Sequence, residues 1–349
     1  MRIAQVSPLF ESVPPQSYGG TERVVSYLTE ELVRQGHTVT LFASGDSVTR
    51  AELVPVTERS LRLSRSVVDR LAHHIRMLEV VARQAEEFDL IHYHIDYLHF
   101  PVSRRLESVH LTTLHGRLDL PDLVPLYHEF PEMPVVSISD AQREPLPWIN
   151  WIGTVYHGLP ADLYTFREEP GQYLAFLGRI SPEKRVDRAI RIARKVGIPL
   201  MIAAKVDAVD VAYFEETIKP LLDGPLVEYL GEIGDQEKNA LLGGACALLF
   251  PIDWPEPFGL VMIESLACGT PVIAYDHGSV PEVIDEGITG FVVRNVDEAV
   301  RAAAEVCSLS RRACRDAFEA RFTAARMARD YVALYDAILA EGRPTAQVV

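Results

Sequence analysis

MRIAQVSPLFESVPPQSYGGTERVVSYLTEELVRQGHTVTLFA, residues 1–43, decides the fold class. Residues 2–6 (RIAQV) and 38–43 (TVTLFA) are apolar runs of strand length. Between them Val24, Val25, Leu28 and Leu32 recur at helical spacing until Gly36 closes the pattern. The spacing predicts an amphipathic helix over 21–35, and strand, helix and strand make a βαβ unit. Two strands joined by a crossover helix run parallel, and a ligand of such a sheet sits beyond the strands' carboxyl ends.

Working outward, the pattern continues through strand-like segments at 88–93, 109–114, 134–138 and 153–156. After the loop at 157–171 it starts again, with strands expected at 172–177, 199–204, 226–230, 245–250, 271–275 and 290–293. Helical patterns at 184–196, 208–222, 235–243 and 259–268 fall between those strands, as a doubly wound sheet requires. Tyr331, Leu334, Tyr335, Ile338 and Leu339 form an apolar stripe on a terminal helix, and the tail from Gly342 onward reads as frayed. A chain of 349 residues is long enough for two such domains.

Composition narrows the function. With Lys+Arg 34 against Asp+Glu 49 the formal net charge is -15, which opposes binding to nucleic acid. No apolar run reaches the roughly 18–20 residues of a membrane-spanning helix. The N-terminus shows no signal-peptide pattern, so a cytoplasmic location is expected. Cys246, Cys268, Cys307 and Cys314 contain no C-x2-C pair and are expected to be reduced packing residues.

Three segments carry candidate chemistry. In the loop after the first strand, Gly19 and Gly20 bring bare backbone to a helix N-terminus, an anion site in outline, with Thr21 as the expected N-cap. No G-x-G-x-x-G or G-x4-G-K-[ST] motif accompanies it. At 178–187 (GRISPEKRVD), Gly178 is read as the exit from a strand. Arg179 and Lys184 then project at the carboxyl edge, a bidentate cation and a mobile one suited to a diphosphate. In 253–271 (DWPEPFGLVMIESLACGTP), Pro255 and Pro257 confine Glu256 to an extended loop before a helix. Gly259 and Leu260 can offer free N–H groups to a phosphate there. Glu264, among apolar neighbours, can accept hydrogen bonds from a ribose diol.

These residues resemble the retaining, nucleotide-sugar-dependent glycosyltransferases of family 4. Glu256 and Glu264 match the family's Glu-x7-Glu signature, Arg179 and Lys184 its Gly-Arg-x5-Lys segment, and Gly19 and Gly20 its Gly-Gly loop. The resemblance covers the whole chain. SLACGTPVIAYDHGSVPEVI and EGITGFVV are similar to the family's downstream block. It implies an α/β GT-B fold, two Rossmann-like doubly wound parallel-sheet domains facing across a cleft. The domains would be 1–163 on the acceptor side and 164–325 on the donor side, with a terminal helix at about 326–341 packing back onto the first.

The implied activity is transfer of a sugar from a nucleoside diphosphate sugar, a UDP-sugar first among the candidates, with retention and without metal or other cofactor. The acceptor, a small molecule, glycan or lipid-linked sugar, is not specified. Arg179 and Lys184 would neutralise the departing diphosphate, Glu264 would hold the ribose and Glu256 the sugar hydroxyls. His115, in LTTLHGR, would lie near the anomeric centre, and Gly231, Glu232 and Ile233 near the base. Retaining glycosidases place two carboxylates about 5 Å apart. Here the pair is divided between sugar and ribose, which points instead to front-face attack with phosphate as base.

Two positions depart from the family pattern: Arg185 stands where it often has glycine, and His157-Gly158 where Asn-Gly is common. His92, His94 and Asp96 could outline a metal cluster, but no third spaced ligand follows. The alternatives are a GT-B sugar-nucleotide epimerase, which would need further acid and base groups, or an inactive nucleotide-sugar-binding protein. One segment opposes the global charge: 59–83 carries Arg59, Arg62, Arg65, Arg70, Arg76 and Arg83 beside an apolar face of Val67, Val68, Leu71, Ile75 and Leu78. It is expected to be a sheet-covering helix, with peripheral contact to an anionic membrane as the second reading.

Overall fold

The computed structural model describes residues 1–16, 19–64 and 67–341. Ser17, Tyr18, Arg65, Ser66 and the tail from Gly342, all part of the segments read above, lie outside them. The chain divides into two compact units, Met1–Gly158 with the helix that begins at Ala324, and Leu159–Thr323.

The first unit holds a seven-stranded sheet made of β1 (Arg2–Val6), β2 (Thr38–Ser44), β3 (Glu52–Thr57), β4 (Leu90–Tyr93), β5 (His110–Thr113), β6 (Val135–Ser137) and β7 (Trp151–Thr154). Its order is β3-β2-β1-β4-β5-β6-β7 with every pair parallel. Ile3 lies between Val39 and Leu90, and the interior strands are buried on both faces, which is why they read as continuous apolar runs. Helix α1 (Gly20–Arg34) joins β1 to β2 and buries Val24, Val25, Leu28 and Leu32. Helix α2 (Arg70–Gln84) adds Met77, Leu78 and Val81 to a core with Val6, Phe42, Ile91 and Tyr93. Each fully buried apolar side chain there contributes roughly 1.5–3 kcal/mol. Helix α3 (Leu123–Glu129) covers β5 and β6 through Leu123 and Tyr127.

The second unit holds β8 (Leu174–Ile180), β9 (Leu200–Val206), β10 (Val227–Gly231), β11 (Ala247–Phe250), β12 (Val272–Tyr275) and β13 (Gly290–Val293), all parallel, in the order β10-β9-β8-β11-β12-β13. In each sheet the strand order reverses beside the first strand, between β1 and β4 and between β8 and β11. Those two crevices are where a doubly wound sheet binds its ligand. Helix α4 (Val186–Val196) follows β8, and α5 (Leu260–Ala267) follows β11. The last helix, α6 (Ala324–Glu341), belongs to the first unit. Arg326 binds the carbonyls of Tyr156 and His157, and Tyr331 and Tyr335 are fully buried.

Five local expectations differ from the structure. Strand β3 was hidden by Pro55, which an edge strand tolerates because one side of it needs no partner. The continuous helix expected at 208–222 is instead a short α segment, Val211–Tyr213, then a wide turn and a tight turn containing Pro220, which cannot continue a helix. β8 runs on to Ile180, so Gly178 and Arg179 lie within the strand rather than past it, each paired with β9. The N-cap of α1 is Gly19, not Thr21. Cys246 and Cys307 form a disulfide, with Cα atoms 5.7 Å apart, because the fold brings the start of β11 to the turn at 306–308. Cys268 and Cys314 are buried thiols, each pushed up to about 12 by burial.

Candidate functional site

Around the second crevice, charged side chains are paired. Arg179 reaches from β8 to Asp207 at 3.3 Å, with Glu183 and Asp210 each 3.9 Å away. Its Nε is buried without a hydrogen-bond partner, leaving one donor edge unused. Although Asp207 is partly buried, hydrogen bonds from Lys205 and Arg179 hold its carboxyl below the usual range. Past Ile180 a turn returns the chain, and Arg185 caps α4 in the left-handed region at φ +53°, a conformation better suited to glycine. Arg185 there grips Asp187 at 2.8 Å and Asp253 at 2.7 Å. The departure from the family's glycine therefore fixes this turn to the loop that carries Glu256.

Lys184 lies on the turn itself, directly before Arg185. Its ammonium hydrogen-bonds the Glu256 carboxylate, which also accepts from Trp254 Nε1 at 3.0 Å. The Lys184 ammonium stands 5.1 Å from the Trp254 ring and 5.5 Å from the Phe250 ring, so aromatic faces add cation–π attraction. Gly259 turns the chain into α5 at φ +79°, and a Cβ on it would lie 2.9 Å from Met262 Cε. Met262 N–H bonds the Gly259 carbonyl at 3.0 Å, and the N–H groups that open a helix make an end that favours anions. One and a half turns on, Glu264 is 5% exposed, and no cation pairs with it among the described residues.

The sequence reading missed what holds this loop in place. Ser279 donates from N–H to the Glu256 carbonyl at 3.0 Å and from its hydroxyl to the Phe258 carbonyl at 2.8 Å. Gly278, at φ +58°, passes so close that a Cβ would lie 2.3 Å from the Glu256 carbonyl oxygen. The signal was present in DHGS at 276–279, a Gly-Ser turn at a strand end. Ile233 lies beyond β10, the edge strand two places from β8, apart from the cluster of Arg179, Lys184 and Glu256.

The first crevice is built from neutral groups. His92 bonds Tyr335 Oη at 2.8 Å and Thr113 at 2.7 Å; His94 bonds Gln5 Oε1 at 2.7 Å and His115 Nε2 at 2.9 Å. His115 stacks on His157 with ring centroids 5.3 Å apart. Burial holds His92, His94 and His157 well below their usual range and His115 at about 3, so all four rings are neutral. With both nitrogens of His92 and of His94 occupied, these rings are hydrogen-bonding groups. Among the described residues no three His, Cys, Asp or Glu side chains are arranged to hold a metal ion. Gly19 stands beside this crevice, where a Cβ would lie 2.8 Å from Pro15 Cβ. Gly20 starts α1, and Glu22 behind it is buried, its carboxyl raised by burial.

Residues 165–319, within the second unit, match the family model of glycosyl transferases group 1, and residues 18–177, most of the first unit and the start of the second, match that of Glycosyltransferase Family 4. AviGT4, a glycosyltransferase involved in avilamycin A biosynthesis, superposes with a TM-score of 0.76 at 24% identity over 97% of this chain and 98% of that one. The chain has the GT-B fold, and two glycosyltransferase family models match it in tandem. The chain is also similar in fold to HepE of Anabaena, solved in complex with UDP and glucose, with a TM-score of 0.72, 18% identity, and coverage of 97% and 100%. In sequence it is 32% identical over 139 residues to a phosphatidyl-myo-inositol mannosyltransferase of Propionibacterium freudenreichii subsp. shermanii. That match covers 39% of this chain and 35% of the relative, little more than a third of the relative's length.

Proposed function

We propose that this protein moves a sugar from a nucleoside diphosphate sugar, a UDP-sugar foremost, to an acceptor hydroxyl with retention of anomeric configuration and without a metal. The observation that carries the reading is the grouping around α5. Lys184 is held by Glu256 beside a helix N-terminus opened by Gly259, and the same helix buries the carboxylate of Glu264 without a cation. Breaking the anomeric bond builds negative charge on the leaving diphosphate. Preorganised cations and helix N–H groups lower that barrier because they need no reorganisation as the charge forms.

In this reading Arg179 and Lys184 bind the diphosphate, Gly259 and Leu260 donate to it, Glu264 takes the ribose hydroxyls and Glu256 takes the sugar. Gly19, Gly20 and His115 are assigned to the first unit's own crevice, and Ile233 to the base. HepE, crystallised with UDP and glucose, supports UDP as the first donor nucleotide to test. Incubation with UDP-, GDP- and ADP-sugars should release nucleoside diphosphate without accumulating an epimerised donor. Glu264→Gln should raise the donor KM by about tenfold, since it removes charge-assisted hydrogen bonds of about 1.5–3 kcal/mol. Release unchanged in both Lys184→Ala and Glu264→Gln sinks the assignment, and epimerised donor favours the epimerase.

Peripheral membrane contact has one supporting observation. Val68, Leu71 and Ile75 point outward, 99%, 54% and 55% exposed, while Met77, Leu78 and Val81 of the same segment enter the core. Flotation with anionic liposomes tests it, and protein left wholly in the soluble fraction removes it.

A further inference from the structure

Within the second unit a cavity of about 250 Å³ lies along α4, away from the crevice. Asp187, Ile190, Arg191, Arg194 and Lys195 of α4 line it on one side, and Leu221, in the tight turn before β10, lines it on the other. Arg191, Arg194 and Lys195 stand at i, i+3 and i+4, so they share one face of the helix. They lie 6, 9 and 10 residues past Arg185. At 1.5 Å per residue that is roughly 9–15 Å along α4 from the turn that carries Lys184.

The cations here are short of counter-charge, unlike those of the crevice. Arg191 makes no hydrogen bond among the described residues, since the carboxylate beside it, Asp187, is 4.0 Å away. Asp187 is itself held on both oxygens by Arg185, at 2.9 and 2.8 Å. Arg194 donates from Nη2 to the carbonyls of Leu221 and Asp223, each at 2.8 Å. Those bonds tie the opposite wall to α4 and fix the guanidinium, yet both partners are uncharged. Lys195 pairs with Asp297 at 2.7 Å, a carboxylate 75% exposed and therefore readily exchanged for another anion. Cations in a last helical turn are favoured by the helix dipole, which accounts for Arg194 and Lys195 but not for Arg191 one turn earlier.

The lining also sets the size and chemistry of the occupant. A volume of about 250 Å³ falls below the roughly 300–1,000 Å³ of pockets for drug-sized ligands, so a nucleotide is too large. Two planar guanidinium forks and an ammonium suit the oxygens of a phosphate group, each fork offering paired N–H donors. Ile190, 1% exposed, and Leu221 give the same space an apolar side for a few carbon atoms.

We propose that this cavity is a binding site for a small phosphate monoester. Arg191 and Arg194 take the phosphate oxygens, Lys195 exchanges Asp297 for the ligand, and the carbon skeleton rests on Ile190 and Leu221. The site is separate from the diphosphate site assigned to Arg179 and Lys184 and does not depend on the glycosyl-transfer reading.

Calorimetric titration of the full chain with glycerol 3-phosphate tests it, with glycerol as the uncharged control and phosphatidic acid vesicles as the lipid-borne form of the same group. Saturable one-to-one binding of glycerol 3-phosphate is expected, and none of glycerol. Arg191→Ala removes no hydrogen bond of the protein and should melt as wild type does, while weakening the binding about tenfold. Adding Lys195→Ala should bring the loss to about 100-fold, each step being one charge-assisted contact. Lys184→Ala and saturating UDP should each leave the binding within about twofold of wild type. No saturable binding, or equal affinity in Arg191→Ala and wild type, overturns the site. Loss of binding in Lys184→Ala or displacement by UDP also overturns it, because the phosphate then sits in the crevice. Binding to the vesicles without binding to glycerol 3-phosphate overturns the small-molecule assignment.

Discussion

The two crevices of this protein are built on opposite electrostatic plans. Beside β8 and β11, Arg179, Lys184 and Arg185 each sit against carboxylates, so charge is present and compensated by exchangeable partners. Beside β1 and β4 the ring system of His92, His94, His115 and His157 carries no charge, and Asp96, which accepts the backbone N–H of His115, has no cation paired with it among the described residues. An anionic leaving group calls for cations that can change partners. Neutral rings in a dry setting act through fixed hydrogen bonds, which are stronger there and less tolerant of errors of geometry.

The largest expected break in this contrast is Lys184→Ala. It removes the mobile cation and leaves Glu256 without its ion pair, and it should lower kcat for nucleoside diphosphate release by about 100- to 1,000-fold in steady-state assays. Gly278→Ala comes next. The added Cβ meets the Glu256 backbone at 2.3–2.4 Å and the residue is held at φ +58°, so the loop must move. Denaturant titration should show a loss of about 2–3 kcal/mol, with activity falling alongside.

The smallest effect is set by pH and should fall on one unit only. Burial holds the folded-state pKa of His115 at about 3 and those of His92, His94 and His157 well below the ordinary histidine value of 6.5. The unfolded chain therefore takes up protons first as pH falls through 6.5, and stability is lost progressively from there toward about 3. Asp96, whose carboxyl burial raises to about 6, acts in the opposite sense, one group against four rings. Hydrogen exchange at about pH 7.5 and about pH 5.5 should show weaker protection of β4 and β5 at the lower pH. β8 and β11 should change little, because the depressed carboxyls around them, Asp187, Asp207 and Asp253, stay ionised there. Equal loss in both sheets would erase the distinction between the crevices.

Much of the cluster at the second crevice was legible before folding because its motifs are local. Glu256 lies between two prolines, Gly259 opens a helix and Glu264 shares that helix, so spacing alone places them together. Lys184 and Glu256, 72 residues apart, were linked by resemblance but not by any local rule. The support from Gly278 and Ser279 was not foreseen, since nothing in DHGS names the backbone it must pass. At the first crevice His115 could be picked out at a strand end, whereas Asp96 read as one corner of an unconvincing metal cluster.

The sequence by itself determined the alternation of strands and helices, the two-fold repetition of that pattern, and the residue types at the second crevice. Hydrophobic period and turn chemistry are written within a few neighbouring residues, which is all those features need. Only the tertiary structure decided that Cys246 meets Cys307, that Arg185 grips Asp253, that Tyr331 and Tyr335 of the last helix close the histidine network, and that Asp96 is left without a cation. Each depends on which distant side chains burial brings together and on how many hydrogen bonds remain unmade once it has done so.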